Sequence, residues 1–286
     1  MTVDIGGGNV ADGPDFRTLL AEAQAAGVDR LDAELLIARV NEVSRASVVA
    51  HGERRTTPAQ AATLRERFAR RAAGEPLAYI HGVREFWSLD LAVTPDVLVP
   101  RPETELLVET ALSRLSKGTI DIADLGTGSG AIAIALAHER PLWRIVATDA
   151  SPAALGIAAA NADRLAPGRI EFLAGRWFEP LGGRRFDALL SNPPYIADAD
   201  PALAALGHEP RGALVAPDQG FADLLLLVRE SPAFLSPGGW LLLEHGSTQA
   251  PRLGAALVTR GFTRVGCLPD LAGHDRITVA QWPARN

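Results

Sequence analysis

Apolar residues in the first part of the chain recur every three or four positions, which is the spacing of amphipathic helices. One apolar stripe runs from Phe16 to Ala23 and a second from Leu31 to Val40. A third helix is predicted to begin after Thr57, a capping residue followed by a proline, and to end at Gly74. This part of the chain is therefore predicted to be a small helical domain.

The pattern changes to alternation at period two over residues 86–93, which is typical of a half-buried strand. The turn residues Thr94-Pro95-Asp96 follow, and apolar residues 97–99 come next. We therefore predict a β-hairpin that bridges two domains. A further helix is predicted to begin at Pro102, because proline is favoured at the first helical position and acidic residues follow it.

From Ile120 onward, short apolar strands alternate with helical patterns, which indicates a mostly parallel, doubly wound sheet. The last two predicted strands have no full helix between them, so we expect them to form an antiparallel pair at the sheet edge. The predicted fold class is therefore α/β with a Rossmann-like sheet. The predicted strands are Ile120–Leu125, Arg144–Asp149, Ile170–Ala174, Phe186–Ser191, Trp240–Glu244, Thr263–Cys267 and Arg276–Ala280.

These patterns divide the 286 residues into four predicted segments. A flexible tail covers residues 1–14, the helical domain residues 15–80, a β-hairpin linker residues 81–100 and the α/β domain residues 101–286. Hydrophobic residues make up 47% of the chain, which supports a sizeable core.

Charge and cysteine content narrow the functional classes. The formal net charge is −6, whereas a protein that grips long nucleic acid usually carries a basic excess, so no direct nucleic-acid contact is expected. No apolar run approaches the ~20 residues that span a bilayer, and no basic region leads into an apolar one at the start, so neither a membrane span nor a secretory signal is expected. Cys267 is the one cysteine, which fits a reducing cytoplasmic setting.

A glycine-rich loop follows the first predicted strand of the sheet. It has the sequence Gly126-Thr127-Gly128-Ser129-Gly130, and glycines there permit a tight turn and a close approach of the backbone to a ligand. The next strand ends in Asp149, where an acid can accept hydrogen bonds from both hydroxyls of a ribose. A nicotinamide dinucleotide and S-adenosylmethionine both fit, although dinucleotide loops favour a different glycine spacing. The structural alternative is a plain turn with Asp149 as a helix cap.

The fourth predicted strand leads into Asn192-Pro193-Pro194-Tyr195, on the same rim of the sheet as the glycine loop. An amide nitrogen is a poor nucleophile, because its lone pair is delocalised into the carbonyl group. The Asn192 side-chain oxygen and the Pro193 carbonyl can accept from a substrate –NH₂, which turns that lone pair toward a methyl donor. Tyr195 offers a flat face for a planar group. The alternative is a proline-stiffened loop with an exposed tyrosine.

Together these motifs resemble the PrmC/HemK family of protein-(glutamine-N5) methyltransferases. The likeness covers nearly the whole chain after the tail. It implies a helical substrate-recognition domain, a hairpin linker and a Rossmann-like methyltransferase domain. Besides the two motifs above, with Asp124 and Leu125 before the glycine loop, the resemblance is carried by Gly82–Leu89, Pro100–Glu105 and Leu241–Gly246.

The resemblance also implies an activity. Members transfer a methyl group from S-adenosylmethionine, leaving S-adenosylhomocysteine, to the side-chain nitrogen N5 of the glutamine in the Gly-Gly-Gln motif of bacterial class I peptide chain release factors. This reaction modulates translation termination. We accordingly expect a cytoplasmic monomer whose partner is a release factor, but the sequence does not say which release factor is preferred.

The resemblance assigns roles to particular residues. Gly126 to Gly130, Asp149 and Asn192 correspond to cofactor-binding positions, and Asn192 to Tyr195 correspond to the catalytic substrate-amide site. Trp177 matches an aromatic position near the adenine, although a core tryptophan fits the sequence equally well. The residue before it is often acidic in the family, whereas this chain has Arg176, for which no role is inferred.

Three other residues have two interpretations. Arg101 and Glu103 line the active-site rim or simply belong to a helix start, and His245 near the rim is expected to be a hydrogen-bonded structural histidine. With no Cys/His cluster, no metal is expected.

Three other functions compete with this one. A DNA or RNA amino-group methyltransferase (adenine-N6 or guanine-N2) needs a basic groove and usually a recognition insert, for which residues 196–220 are too short. A non-catalytic binding module and an oxidoreductase are the remaining alternatives. The intact motifs disfavour the first and the glycine spacing disfavours the second.

Overall fold

A computed structural model describes residues 12–284. Most of the predicted tail therefore lies outside the described residues. Of its described part, Gly13 is held to the chain beyond it, because its N–H donates to the Thr56 carbonyl oxygen at 2.9 Å. The chain divides into two compact units, the first ending at Gly82 and the second beginning at Val83.

The first unit consists of short helices around their own apolar core, which includes Phe16, Leu36 and Phe68. Helix α4 begins at Pro58 as predicted, with a reciprocal cap in which Thr57 accepts from the Gln60 backbone and Gln60 accepts from the Thr57 N–H. The helices are α1 (Phe16–Ala25), α2 (Arg30–Val40), α3 (Arg45–Ala50), α4 (Pro58–Ala72) and α5 (Leu77–His81).

The arginines of α4 form ion pairs with acids of the same unit. Arg65 pairs with Glu22 at 2.8 Å, and Arg71 pairs with Asp32 at 2.6 Å. Arg70 pairs with Glu75 at 2.5 Å. This face of α4 is therefore largely charge-compensated rather than a continuous basic stripe.

The second unit opens with a β-hairpin of β1 (Val83–Phe86) and β2 (Leu89–Ala92). The predicted position of its turn was wrong: the chain turns at Trp87-Ser88, and residues 97–99 form no strand. Both turn residues have positive φ, 55° and 57°, a conformation normally signalled by glycine or asparagine. The sequence lacks that signal at Trp87-Ser88, whereas the segment that follows contains proline, and this is why the sequence pattern predicts the turn too late.

The main sheet has seven strands in the order β5-β4-β3-β6-β7-β9-β8. All neighbours are parallel except β9, which runs antiparallel to both β7 and β8, so the predicted antiparallel edge is confirmed. Strand β7 begins earlier than predicted, because Leu235 already pairs with Phe186. The strands are β3 (Asp121–Leu125), β4 (Arg144–Asp149), β5 (Ile170–Ala174), β6 (Phe186–Ser191), β7 (Leu235–Glu244), β8 (Thr263–Pro269) and β9 (Asp275–Gln281).

Two apolar clusters cover the sheet, one containing α7 and the other containing residues of α10 and α11. The helix predicted to begin at Pro102 starts as a 3₁₀ turn over Pro102–Thr104 and becomes α-helical at Glu105. In the part of the chain that the structure describes, no helix combines the length and apolar character needed to cross a bilayer. The helices are α6 (Glu105–Arg114), α7 (Ala131–Glu139), α8 (Pro152–Leu165), the single distorted turn α9 (Pro217–Gly220), α10 (Ala222–Glu230) and α11 (Ala250–Arg260).

The hairpin is joined to the sheet unit by a buried side chain of α8. Asn161 accepts from the Ala92 N–H at 2.8 Å and donates to the carbonyl oxygens of Ala92 and Ser129, both at 3.0 Å. One amide thus connects β2 to the glycine loop. The part of the predicted linker from Val83 onward therefore belongs to the second unit.

Candidate active site

A cavity of about 410 Å³ opens at the carboxyl ends of β3, β4 and β6. This volume is typical of a cofactor site. Strands β4 and β5 follow β3 on one side of it, whereas β6 lies on the other side of β3. Open α/β sheets bind ligands where the strand order reverses in this way. The sheet order therefore places the cavity where the sequence predicted a ligand.

The glycine loop forms one wall with three glycines in the left-handed region. The φ angles of Gly126, Gly128 and Gly130 are 76°, 57° and 85°. A Cβ on Gly126 would lie 2.9 Å from the Trp177 ring, and a Cβ on Gly130 would lie 2.9 Å from Ile134. Gly128 has no atom within 4 Å of such a Cβ, so its backbone faces open space at the cavity.

A buried carboxyl group supports this loop from below. Asp124 is fully buried and accepts a 2.6 Å hydrogen bond from the Thr127 hydroxyl. Burial raises the pKa of Asp124 to about 7, and the hydrogen bond from Thr127 offsets only part of that shift. The first turn of the loop is therefore held by a side chain in addition to its backbone.

Asp149 ends β4 at the cavity and also shapes the loop. Its Oδ2 accepts from the Gly128 N–H and its Oδ1 from the Ser151 N–H, both at 2.9 Å. The helix cap of α8 is Ser151, whose hydroxyl accepts from the Ala154 N–H, so Asp149 does not fill that position. Each carboxylate oxygen keeps a second lone pair, which leaves Asp149 able to accept two further hydrogen bonds.

Trp177 lies between the cavity and the core. It lines the cavity, is 8% exposed and contacts the Gly126 backbone, so it belongs to both the ligand wall and the apolar cluster. Its indole N–H donates to the Asp223 carboxylate at 3.3 Å. Arg176 pairs with the same oxygen at 2.6 Å. The arginine that departs from the family pattern therefore lies beside a nearly buried carboxylate contributed by α10.

The Asn192–Tyr195 segment divides between cavity and core. Asn192 and Pro194 line the cavity, whereas Pro193 is buried and the Tyr195 ring packs against the core. The Tyr195 hydroxyl donates to Glu244 at 3.3 Å. Burial and this carboxylate together raise the pKa of the tyrosine hydroxyl.

The side-chain amide of Asn192 is oriented by a threonine. Its Nδ2 donates to the Thr104 hydroxyl at 3.1 Å, so the carbonyl oxygen Oδ1 is the atom left for a ligand. Thr104 is 4% exposed and also lines the cavity. Behind it lies Glu244, which is 1% exposed, and burial raises the pKa of Glu244 to about 7.

The backbone after the two prolines is held just as closely. The Tyr195 carbonyl oxygen accepts from the Gln249 amide at 3.1 Å and lies against Gly220, where a Cβ would come within 2.0 Å of it. Asp218, Gln219 and Gly220 all have positive φ. A positive φ is costly for the two residues other than glycine, Asp218 and Gln219, and such strain concentrates at functional sites.

Two of the remaining predicted rim residues, Arg101 and His245, have structural partners. Arg101 lines the cavity and pairs with buried Glu209, which also accepts from the Val99 N–H at 3.0 Å. Glu103 contributes charge near Tyr195 and Glu244. His245 is fully buried with its Nδ1 2.9 Å from the Gly246 carbonyl oxygen and its Nε2 2.7 Å from the Thr278 hydroxyl, as expected for a structural histidine.

The sequence did not single out Thr104, Asp223, Glu209 or Glu244. Thr104 and Glu244 occur inside motifs that resemble the family, but nothing local shows that they meet. Within residues 12–284, no cluster of three or more His, Cys, Asp or Glu side chains is placed to hold a metal ion.

Two family models match the chain. The one described as the PrmC N-terminal domain matches residues 15–82, and the one described as the methyltransferase small domain matches residues 102–208.

Curated relatives match over almost the full length. A protein of Coxiella burnetii named release factor glutamine methyltransferase is 48% identical over 253 residues, which cover 88% of this chain and 91% of the relative. A protein of Escherichia coli K12 with the same name is 43% identical over 269 residues, covering 93% of this chain and 97% of the relative.

Solved structures share the fold. A methyltransferase from Pyrococcus furiosus has a TM-score of 0.54 and 19% identity over 77% of this chain and 99% of that one. A 16S rRNA N2 methyltransferase from Thermus thermophilus, solved with AdoMet and guanosine, has a TM-score of 0.53 and 20% identity over 70% of this chain and 49% of that one. At these identities the likeness concerns the fold alone.

Proposed function

Because the chain belongs to the release factor glutamine methyltransferase family, we propose that it methylates the side-chain amide nitrogen (N5) of the glutamine in the Gly-Gly-Gln motif of bacterial class I peptide chain release factors. The methyl donor is S-adenosylmethionine, and the reaction modulates translation termination. This activity belongs in the cytoplasm and requires no more than one copy of the chain.

One observation carries the proposal: a single cavity presents a glycine loop, a ribose-type acid and an asparagine whose oxygen is free to accept. A substrate –NH₂ is a double donor, so it needs acceptors and not donors from the protein. The contact with Thr104 meets this need, because it occupies the NH₂ group of the Asn192 side chain and leaves the oxygen to accept from the substrate.

The cofactor fits the wall formed by residues 126–130 and Asp149. Gly128 leaves open space where a side chain would stand, and the two Asp149 oxygens each retain a lone pair for a ribose hydroxyl. Trp177 offers an apolar surface for the adenine. When bound, S-adenosylmethionine supplies an electrophilic methyl group on a sulfonium.

The residues of the Asn192–Tyr195 segment hold the target amide. Asn192 Oδ1 and the Pro193 carbonyl accept its two N–H groups, which directs the nitrogen lone pair out of conjugation and toward the methyl donor. Tyr195 packs its ring against the core and bonds its hydroxyl to Glu244, so its proposed role is to support the segment that holds the amide. No strong base is needed before transfer, because the nitrogen gains its acidity only after methylation and can release its proton afterwards.

The helical unit, predicted as residues 15–80, is proposed to recognise the protein substrate. Its polar residues form internal ion pairs such as Arg65–Glu22, and it contributes no residue to the cavity. A chain starting at Val83 should still bind S-adenosylhomocysteine but methylate a whole release factor poorly. Full activity of that fragment on the whole protein would contradict this role.

The test of the function is a direct competition between substrate classes. The protein is incubated with S-adenosylmethionine carrying a labelled methyl group and, separately, with a release factor, duplex DNA or ribosomal RNA. Label is expected only on the release factor, and a release factor whose Gly-Gly-Gln glutamine is replaced by alanine should remain unlabelled. Label on nucleic acid, or on the alanine variant, would refute the proposal.

A nucleic-acid substrate finds no separate support. The segment after the Asn192–Tyr195 motif forms short 3₁₀ turns at Pro201–Leu206 and Arg211–Ala213 rather than a recognition domain. Its Arg211 is paired with Asp198.

A further inference from the structure

The Asn192 side chain can adopt two orientations that differ by exchange of its oxygen and its nitrogen. Only the orientation with Oδ1 toward the cavity can accept from a substrate amide. The orientation in the structure is this one, because Nδ2 donates to the Thr104 hydroxyl at 3.1 Å. The other orientation would turn the Asn192 oxygen toward Thr104.

A hydroxyl group can donate as well as accept, so Thr104 alone does not distinguish the two orientations. Its neighbour on the other side does. Glu244 is 1% exposed, its Oε2 has no hydrogen-bond partner among the described residues, and the Thr104 hydroxyl lies close enough to lower the pKa of this carboxyl group. The ionised form of Glu244 only accepts, and a buried oxygen without a partner is costly, so we expect the Thr104 proton to point toward Glu244 and a lone pair of Thr104 to be left for Asn192.

Building on the proposed function, we propose that Thr104, with its hydroxyl directed by Glu244, is a positioning residue that holds the Asn192 side-chain oxygen toward the substrate amide. In this arrangement the Asn192 amide donates to the Thr104 hydroxyl, and the Thr104 hydroxyl donates to Glu244. Glu244 also accepts from the Tyr195 hydroxyl at 3.3 Å. One buried carboxylate therefore sets the orientation at both ends of the Asn192–Tyr195 segment.

The test replaces Thr104 with valine, which has nearly the same shape but no hydroxyl, and with serine as the matched control that keeps it. Single-turnover methylation of a release factor should fall on the order of tenfold in Thr104→Val, the effect of losing one neutral hydrogen bond. Thr104→Ser should stay within about twofold of the parent protein. Affinity for S-adenosylhomocysteine, measured by calorimetry, should be unchanged in both.

A double-mutant cycle separates positioning from a general structural effect. In the Asn192→Ala background there is no amide to orient, so adding Thr104→Val should cause no further loss. An equal tenfold loss in both backgrounds would show that Thr104 acts independently of Asn192, and the proposal would be wrong.

A spectroscopic readout does not depend on the proposed substrate. The two side-chain amide protons of Asn192, assigned by their loss in Asn192→Ala, should give separate NMR resonances, one shifted by its hydrogen bond. Thr104→Val should abolish that shift and Thr104→Ser should keep it. If Thr104→Val leaves the Asn192 resonances unchanged, the positioning role of Thr104 is wrong, even if release factors are methylated. If the shift changes as expected but no release factor is labelled, the proposed function is wrong instead.

Discussion

The two walls of the cavity are built by different means. The cofactor wall, residues 126–130 with Asp149, is formed mainly by backbone: left-handed glycines and N–H groups that bond to one carboxylate. The substrate wall, residues 192–195 with Thr104 and Glu244, is formed by buried polar side chains from three separate parts of the chain. In the proposed function one wall binds the cofactor and the other orients the reacting amide, so damage to each should show in a different measurement.

The largest expected effect lies on the substrate wall. Asn192→Ala removes the acceptor for the target amide, and single-turnover methylation should fall on the order of 10²–10³-fold, because a well-placed polar partner at a transition state is lost. Asn192→Asp should be milder, since a carboxylate still accepts. Cofactor affinity should change little in either variant. If the alanine variant methylates at the parent rate, the assignment of Asn192 is wrong.

The matching change on the cofactor wall should affect binding instead. Asp149→Ala removes an acceptor for ribose and the two bonds that hold the Gly128 and Ser151 backbones. We expect affinity for S-adenosylmethionine to fall by about 100-fold or more, since two ribose bonds are lost and charge-assisted hydrogen bonds are worth ~1.5–3 kcal/mol each. Saturating cofactor should restore much of the methylation rate. Unchanged affinity in a calorimetric titration would contradict the role of Asp149.

A pair of alanine substitutions separates backbone strain from steric clash within the cofactor wall. Both Gly126 and Gly128 have positive φ, but only a Cβ at Gly126 would meet the Trp177 ring at 2.9 Å. Gly126→Ala should therefore lower the free energy of unfolding by ~1–2 kcal/mol more than Gly128→Ala does. Chemical denaturation of the two variants measures this difference. Equal losses would show that the ring moves aside freely.

Both walls are also expected to make stability depend on pH. Each wall contains one buried carboxyl group. Burial raises the pKa of Asp124 from 3.8 to about 7 and the pKa of Glu244 from 4.5 to about 7. The folded protein then keeps protons that the unfolded chain releases, so stability falls as the pH rises from about 4 to about 7. Asp124→Asn and Glu244→Gln should each flatten that slope by up to about 1.4 kcal/mol per pH unit. Denaturant melts across this pH range test it, and an unchanged slope would mean that the group titrates normally.

The sequence predicted most of the cofactor wall because its residues are neighbours along the chain. Gly126 to Gly130 follow one strand, Asp149 ends the next strand, and the order of parallel strands brings both to one rim. Asn192 was found in the same way.

The support of the substrate wall escaped prediction because its contacts join distant positions. Thr104 and Asn192 are 88 residues apart, and Tyr195 and Glu244 are 49 apart. The hairpin turn was mispredicted for a different reason. Trp87 and Ser88 are adjacent, but neither residue type is typical of such a turn. The turn is instead held by a hydrogen bond from the Trp87 N–H to Glu105. Local patterns thus located the motifs, while long-range hydrogen bonds decided their orientation.

The strand order at the sheet edge has a consequence for biosynthesis. Strand β9 lies between β7 and β8, so β8 leaves the ribosome before the only strand among residues 12–284 to which it pairs. Until β9 is made, β7 has an open edge and β8 has no position in the sheet, and unpaired strand edges are where nascent chains associate wrongly. A premature stop between these two strands would therefore remove one strand from the sequence but two from the sheet.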